Sequence, residues 1–343
     1  MFDPNALPMV QPETRWRAPD LLPVESIHID IDFSDIAARA EALARKGRLA
    51  ESIDANEIAL GAAQVGLDEL SETLRSGRGI AIVPNFPVDL AHNAIELVFW
   101  RCGLALGTPV SQSVMGDRLG HVIDVTKTDP HARAYRRNEK LTPHTDPADF
   151  LSFLCLQPAA IGGESLFISA LEVHEMLRAE RPDLLERMYR GYRWSRFGEQ
   201  ADDEDPITPH HIPVFSERDG LISTRALRQY VEIAADEDPT ITLDALDIEA
   251  FDVIDEAATN PDLALRFTLE RGQAIFANNY TVWHARTGFE DIDGSPPRHL
   301  LRLWIDGEPR RPVVDRIQIY PGTVGIRAQP GRMPSYETTV EVI

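Results

Sequence analysis

The sequence predicts an α+β fold with a mainly β core. Three observations carry this. Up to about residue 110 the apolar residues recur at helical spacing. From about Gln112 the texture changes to short β-type runs separated by Gly and Pro clusters, the pattern of a sandwich or barrel. Two longer helical stretches, 170–188 and 244–260, interrupt those runs. The chain therefore reads as a single catalytic domain over 1–343. Its parts are a helix-rich 1–110, a β core over 111–308 with the two insertions, and a tail over 309–343 without clear period.

Residues 1–24 are Pro-rich and read as irregular. Phe33 to Lys46 is an alanine-rich helix, and Asn56 to Arg75 follows with Ile58, Ala62, Val65, Leu70 and Leu74 near helical spacing. Gly79 to Val83 is a short buried strand stopped by Pro84. Asp89 is expected to cap the next helix, which Gly107 ends. The β-type runs are His121–Val125, Phe150–Leu156, Ser165–Ile168, Val214–Phe215, Leu221–Ser223, Gln273–Phe276, Thr281–His284 and Leu300–Ile305. Within 170–188, Pro182 marks a fresh helical start. Leu246, Ala250, Val253 and Ile254 give the second insertion its helical period.

The formal charge of −21 argues against nucleic acid, which needs clustered Lys and Arg, and against docking on anionic membranes. No apolar run is long enough to span a bilayer, and Met1 to Trp16 lacks the apolar core of a secretory signal. Cys102 and Cys155 stand in unrelated apolar contexts, which points to two core thiols in a reducing, cytoplasmic compartment. Oligomeric state is open.

His144-Thr145-Asp146 is the chemically informative motif. In a strand, residues i and i+2 share a face, so His144 and Asp146 can reach one metal, with Pro143 and Pro147 placing them at a strand end. Two histidines and a carboxylate on one octahedral face leave three positions open, the arrangement of non-heme Fe(II) oxygenases. An HxD alone is a weak signal. His28-Ile29-Asp30 has the same spacing, yet it lies upstream of the helices and lacks accessories, so a surface pair is the better reading there.

The accessories raise His144. After it come the core strand Asp149 to Leu156, the turn Gly162-Gly163-Glu164-Ser165, the run Arg271 to His284 containing Asn278-Asn279, and Arg298-His299-Leu300-Leu301-Arg302-Leu303-Trp304. In that last strand Arg298, Leu300 and Arg302 share one face, and His299 takes the other. Over roughly residues 75 to 306, this order of motifs resembles the TauD/TfdA (taurine catabolism, clavaminate-synthase-like) group of Fe(II)/2-oxoglutarate-dependent dioxygenases.

The resemblance implies a double-stranded β-helix, or jelly roll, flanked by helices. It implies His144, Asp146 and His284 as iron ligands and Arg298 as the arginine that binds 2-oxoglutarate. Ser165 stands where the family often has a Thr that helps hold this co-substrate, and keeps only its hydroxyl. Arg302 falls where some members grip an anionic substrate group, and Gln112 where others approach the substrate.

The implied cofactors are Fe(II), 2-oxoglutarate and O2. The implied chemistry is hydroxylation of a small molecule with release of succinate and CO2. Halogenating members replace the carboxylate with a small residue, so Asp146 points to hydroxylation, desaturation or C–X cleavage. A cupin-type metalloenzyme without 2-oxoglutarate, and a non-catalytic barrel, are the alternatives. The first expects further histidines near His144, and both leave Arg298 unexplained. Two loops are candidates for steering the substrate. Lys127 to Lys140 is locally basic, and the acidic Glu199 to His211 reads as a mobile lid.

Overall fold

The computed structural model describes residues 3–125, 137–292, 294–320, 322–329 and 331. The basic loop from Lys127 to Arg136 and most of the tail beyond Pro330 lie outside the described residues. The N-terminal third contains α1 (Ser34–Ala44), α2 (Gln64–Arg75), β1 (Ile80–Val83), α3 (His92–Leu106) and β2 (Gly107–Pro109). The middle contains β3 (Leu119–Val122), β4 (Leu141–His144), β5 (Phe150–Gln157), β6 (Ile161–Gly162), β7 (Ser165–Ser169), α4 (Ala170–Glu180) and α5 (Pro182–Arg190). Then come β8 (Phe215–Arg218), β9 (Leu221–Thr224), α6 (Arg228–Glu237), α7 (Ala245–Ala257), β10 (Ala264–Phe267), β11 (Ala274–Asn278), β12 (Val282–Arg286), β13 (Phe289–Glu290) and β14 (His299–Gly307).

The strands form a jelly roll. One sheet runs β1-β11-β5-β14-β2, with β3 also paired to β14, and the other runs β10-β7-β12-β4. All these pairings are antiparallel. Helices α1, α2 and α3 cover the outer face of the larger sheet, where Leu67, Leu70, Leu74, Val98 and Phe99 bury against Phe276, Leu301 and Leu303. Helices α4, α5 and α7 cover the smaller sheet around Trp283. A third apolar cluster, including Val122, Phe167, Ile275 and Leu300, fills the space between the sheets.

Local chemistry explains the boundaries. Asp244 caps α7 by accepting from Leu246 and Asp247 N–H groups, and the Asp247 carboxylate accepts from the Asp244 N–H in return. Pro182 opens α5. A Cβ at Gly107 would overlap the Asp306 carbonyl, so α3 passes into β2 through glycine.

The cap of α3 is a correction. Its N-cap is Ala91, with no side-chain hydrogen bond. The Asp89 carboxylate instead accepts from Arg271 Nη1 at 2.9 Å. Glu199 is buried, Arg196 N–H donates to the Pro206 carbonyl, and Arg196 Nη1 donates to the Asp205 carbonyl at 2.6 Å. His210 and His211 approach the Gln318 and Gly191 carbonyls at 3.1 Å each. His28 makes only an isolated bridge to Ile82, and Asp30 is exposed, as expected of a surface pair.

Candidate metal and co-substrate site

β4 and β12 lie side by side with His144 directly opposite His284, so the sheet register itself brings the two imidazoles together. Their ring centroids are 4.1 Å apart. β4 ends at His144, so Asp146 reaches the pair from the following loop and not from the strand expected for it. That loop is fixed by three contacts. Thr145 N–H donates to the Ala226 carbonyl at 2.8 Å, Asp146 N–H donates to Asn279 Oδ1 at 3.3 Å, and Arg225 donates to the Asp146 carbonyl.

One donor atom from each of His144, Asp146 and His284 lies within 4.8 Å of the others. His284 Nε2 stands 3.5 Å from Asp146 Oδ2, and that oxygen is buried without a hydrogen-bond partner among the described residues. His144 Nδ1 faces the Thr142 carbonyl at 2.8 Å, so it carries the proton and leaves Nε2 free for a metal. Burial pushes the His144 imidazole down to about 4, helped by the neighbouring His284. Burial opposes ionisation of Asp146, but the adjacent His284 imidazole and the charge of Arg302 outweigh it and hold its pKa below the usual carboxylate range. A neutral imidazole and an ionised carboxylate are the forms that bind a divalent ion.

A cavity runs from these histidines between the sheets. Ser165, Phe167 and Arg286 line it from one sheet, and Phe153, Leu300, Arg298 and Arg302 from the other. Arg298 is buried, its guanidinium 5.0 Å from the Phe289 ring centre, and its Nη1 has no hydrogen-bond partner among the described residues. Burial lowers its pKa to about 10, which leaves it cationic at neutral pH. A cation so placed asks for an anion. Gly163 leaves it room, since a Cβ there would come within 3.3 Å of Arg298 Nε.

Arg286, absent from the sequence expectations, is a second buried cation lining the same cavity, from the opposite sheet. It follows His284 by two residues in β12, the strand spacing that could have revealed it. It pairs in register with Ser165. Its Nη2 donates to the Arg137 and Glu139 carbonyls, so it also anchors the end of the basic loop. Burial, then the nearby Arg298 charge, lowers its pKa to about 9.

Arg302 is likewise buried, with its guanidinium 4.7 Å from the Trp304 ring centre and its charge acting on both Asp146 and His144. Its Nε donates to Gln112 Oε1. The structure thus brings together His144, Asp146, His284, Ser165, Arg298 and Arg302, with Gln112 behind Arg302.

Residues 45–304 match the family model described as taurine catabolism dioxygenase TauD, TfdA family. FR-33289 synthase of Streptomyces rubellomurinus is 30% identical over 288 residues, which span 81% of this chain and 84% of that one. The taurine hydroxylase-like protein SAT17 of Stachybotrys chartarum is 33% identical over 172 residues, 49% of this chain and 42% of that protein. Among solved structures, asparagine oxygenase with Fe(II), 3-hydroxyasparagine and succinate superposes with a TM-score of 0.58 at 17% identity, covering 81% of this chain and 93% of its own. The non-heme iron oxygenase OrfP, with Fe, succinate and a dihydroxyarginine, gives 0.61 at 13% identity, covering 87% and 99%. The chain therefore belongs to the TauD/TfdA family and is an Fe(II)- and 2-oxoglutarate-dependent dioxygenase.

Proposed function

We propose that the enzyme hydroxylates a small anionic molecule, with His144, Asp146 and His284 holding Fe(II) and Arg298 gripping the distal carboxylate of 2-oxoglutarate. One observation carries this reading. Three converging metal donors stand at one end of a cavity, and a buried guanidinium nitrogen without a hydrogen-bond partner among the described residues lies on its wall. Bound iron would supply oxygen activation coupled to decarboxylation of 2-oxoglutarate to succinate and CO2.

The chain's own residues orient and shield. Arg298 offers a planar fork that suits a carboxylate, and Arg286 adds a second positive charge in the same cavity. Ser165, across the strand pair from Arg286, adds a hydroxyl to the cavity lining. Phe153 and Phe167 keep water from the space beside His284. Arg302, whose charge reaches the metal donors, is the group placed to hold an anionic substrate near them. The asparagine oxygenase and OrfP structures, which hold hydroxylated amino acids, support a polar small molecule. Asp146, retained as a carboxylate, supports hydroxylation over halogenation. A reducing, cytoplasmic setting suits Cys102 and Cys155, which are free, buried, and pushed by burial up to about 12.

The test begins without a substrate. Anaerobic Fe(II) plus 2-oxoglutarate should give a weak visible charge-transfer band that R298A loses. Succinate release is then screened over sulfonates, sulfate esters, aryloxy acids and amino acids. A wild-type protein with no such band and no succinate from any member rejects the assignment.

A further inference from the structure

On the face of the larger sheet turned away from the cavity, three imidazoles and a carboxylate meet. β14 sends Leu300 and Arg302 inward, while His299 packs toward α3, with its ring 5.7 Å from that of His92. The first turns of α3 supply His92 and Glu96, four apart and so on one helix face. β3 supplies His121, which pairs in register with Leu301. His92 Nε2 lies 3.0 Å from Glu96 Oε1, and His121 Nε2 lies 3.6 Å from the same oxygen. One donor atom from each of the three residues falls within 4.8 Å of the others.

We propose that His92 Nε2, Glu96 Oε1 and His121 Nε2 form a second metal site, separate from the iron centre, that takes a divalent transition ion of the Zn2+ type. The spacing matches the chemistry. Ligands about 2.0–2.1 Å from a tetrahedral Zn2+ stand roughly 3.3 Å from each other, and the two measured separations bracket that figure. Two imidazoles and one carboxylate are a donor set that Zn2+ accepts, with the fourth position left to water.

The surroundings also fit. The His92 and His121 side chains are 54% and 40% exposed, so an ion can enter from solvent, while the Glu96 side chain is only 16% exposed and is held between them. Behind His121 stands His299, with its Nε2 2.9 Å from His121 Nδ1. When His121 Nδ1 donates there, its Nε2 lone pair is left for the ion, which makes His299 an outer partner that orients a ligand. An ion here would tie α3 to β3. Through the His121–His299 hydrogen bond it would also brace the first residue of the strand that follows Arg298.

The test separates this site from the iron centre. In an H144A/D146A double variant, calorimetric titration with Zn2+ should show one ion bound per chain. Adding H92A, or adding E96Q, should weaken that binding at least tenfold. In the wild-type enzyme Zn2+ outcompetes Fe(II) at the His144/Asp146/His284 cluster, so two Zn2+ should bind per chain, and H92A should weaken only one of them, by the same factor. Thermal melts should rise with Zn2+ in the double variant and stay level once H92A is added. A double variant that folds but binds no Zn2+, or Zn2+ binding that survives both H92A and E96Q unchanged, overturns the site. If the double variant does not fold, the two-site Zn2+ titration of the wild type and of its H92A and E96Q forms decides: loss of one of the two ions supports the site, and two ions bound unchanged overturns it.

Discussion

Gln112 clasps Arg302 from two sides. Arg302 Nε donates to Gln112 Oε1 at 2.6 Å, and Gln112 Nε2 donates to the Arg302 carbonyl at 3.0 Å and to the Arg118 carbonyl at 2.9 Å. Both amide hydrogens are therefore committed to the backbone. That geometry makes Gln112 a positioning residue for Arg302, the arginine proposed to hold the substrate. Q112L keeps the volume and removes the clasp. It should raise the substrate KM about tenfold, near 1.4 kcal/mol of lost binding, with the KM for 2-oxoglutarate unmoved. Equal changes in both constants would mean that the clasp serves the fold and not the substrate.

Asp146 is proposed as the anionic donor of the triad, and its Oδ2 has no hydrogen-bond partner among the described residues. D146A removes that donor and should abolish succinate formation and weaken Fe(II) binding by at least a hundredfold, since outer-shell changes alone cost ten- to a hundredfold. Iron titration followed by succinate assay checks both. Unchanged succinate formation would reject its ligand role.

How much of this was readable beforehand depends on whether a residue's role is local. His144, His284 and Arg298 were legible because strand alternation and motif order place them without reference to distant contacts. Asp146 was legible as a neighbour of the two histidines, but not in the geometry that brings it there. Its position off the strand end is set by Arg225 and Asn279, which lie far away in sequence. Asp89 was misread as a cap because Arg271, 182 residues on, captures its carboxylate. Helix α6 escaped notice because its buried Val231, Ile233 and Ala234 sit among charged neighbours. Arg286 was within reach: a second residue on the metal-bearing face of β12 should always be read with the ligand it follows.

Arg286 and Arg298 line the same cavity, and each charge makes the other harder to keep buried. A dianionic co-substrate relieves that repulsion. R286M should therefore raise the KM for 2-oxoglutarate about tenfold or more. R286K, which keeps the charge but not the fork, should recover part of that loss. Because Arg286 also anchors the Arg137 and Glu139 carbonyls, the Fe(II) affinity is the control. A variant that loses iron and 2-oxoglutarate binding together would show that its role is structural.

His174 sets a pH limit on the fold away from the active site. It is fully buried on α4, with Nδ1 3.1 Å from Glu175 Oε1 and Nε2 3.0 Å from Tyr189 Oη. Burial lowers its pKa from 6.5 to about 4. As pH falls below 6.5 the unfolded chain takes up a proton at this histidine, while the folded chain refuses it until about pH 4. Stability from His174 is thus complete above pH 6.5 and is lost progressively toward about 4, at up to roughly 1.4 kcal/mol per pH unit. Urea unfolding between these limits should show the loss. H174Q should be less stable at pH 7, by about 1–3 kcal/mol for the disturbed hydrogen bonds, yet should show a shallower decline on acidification. His144 also has a lowered pKa, so the variant keeps part of the slope. If H174Q and wild type decline in parallel, the buried imidazole does not control the acid limb, and the carboxylates must.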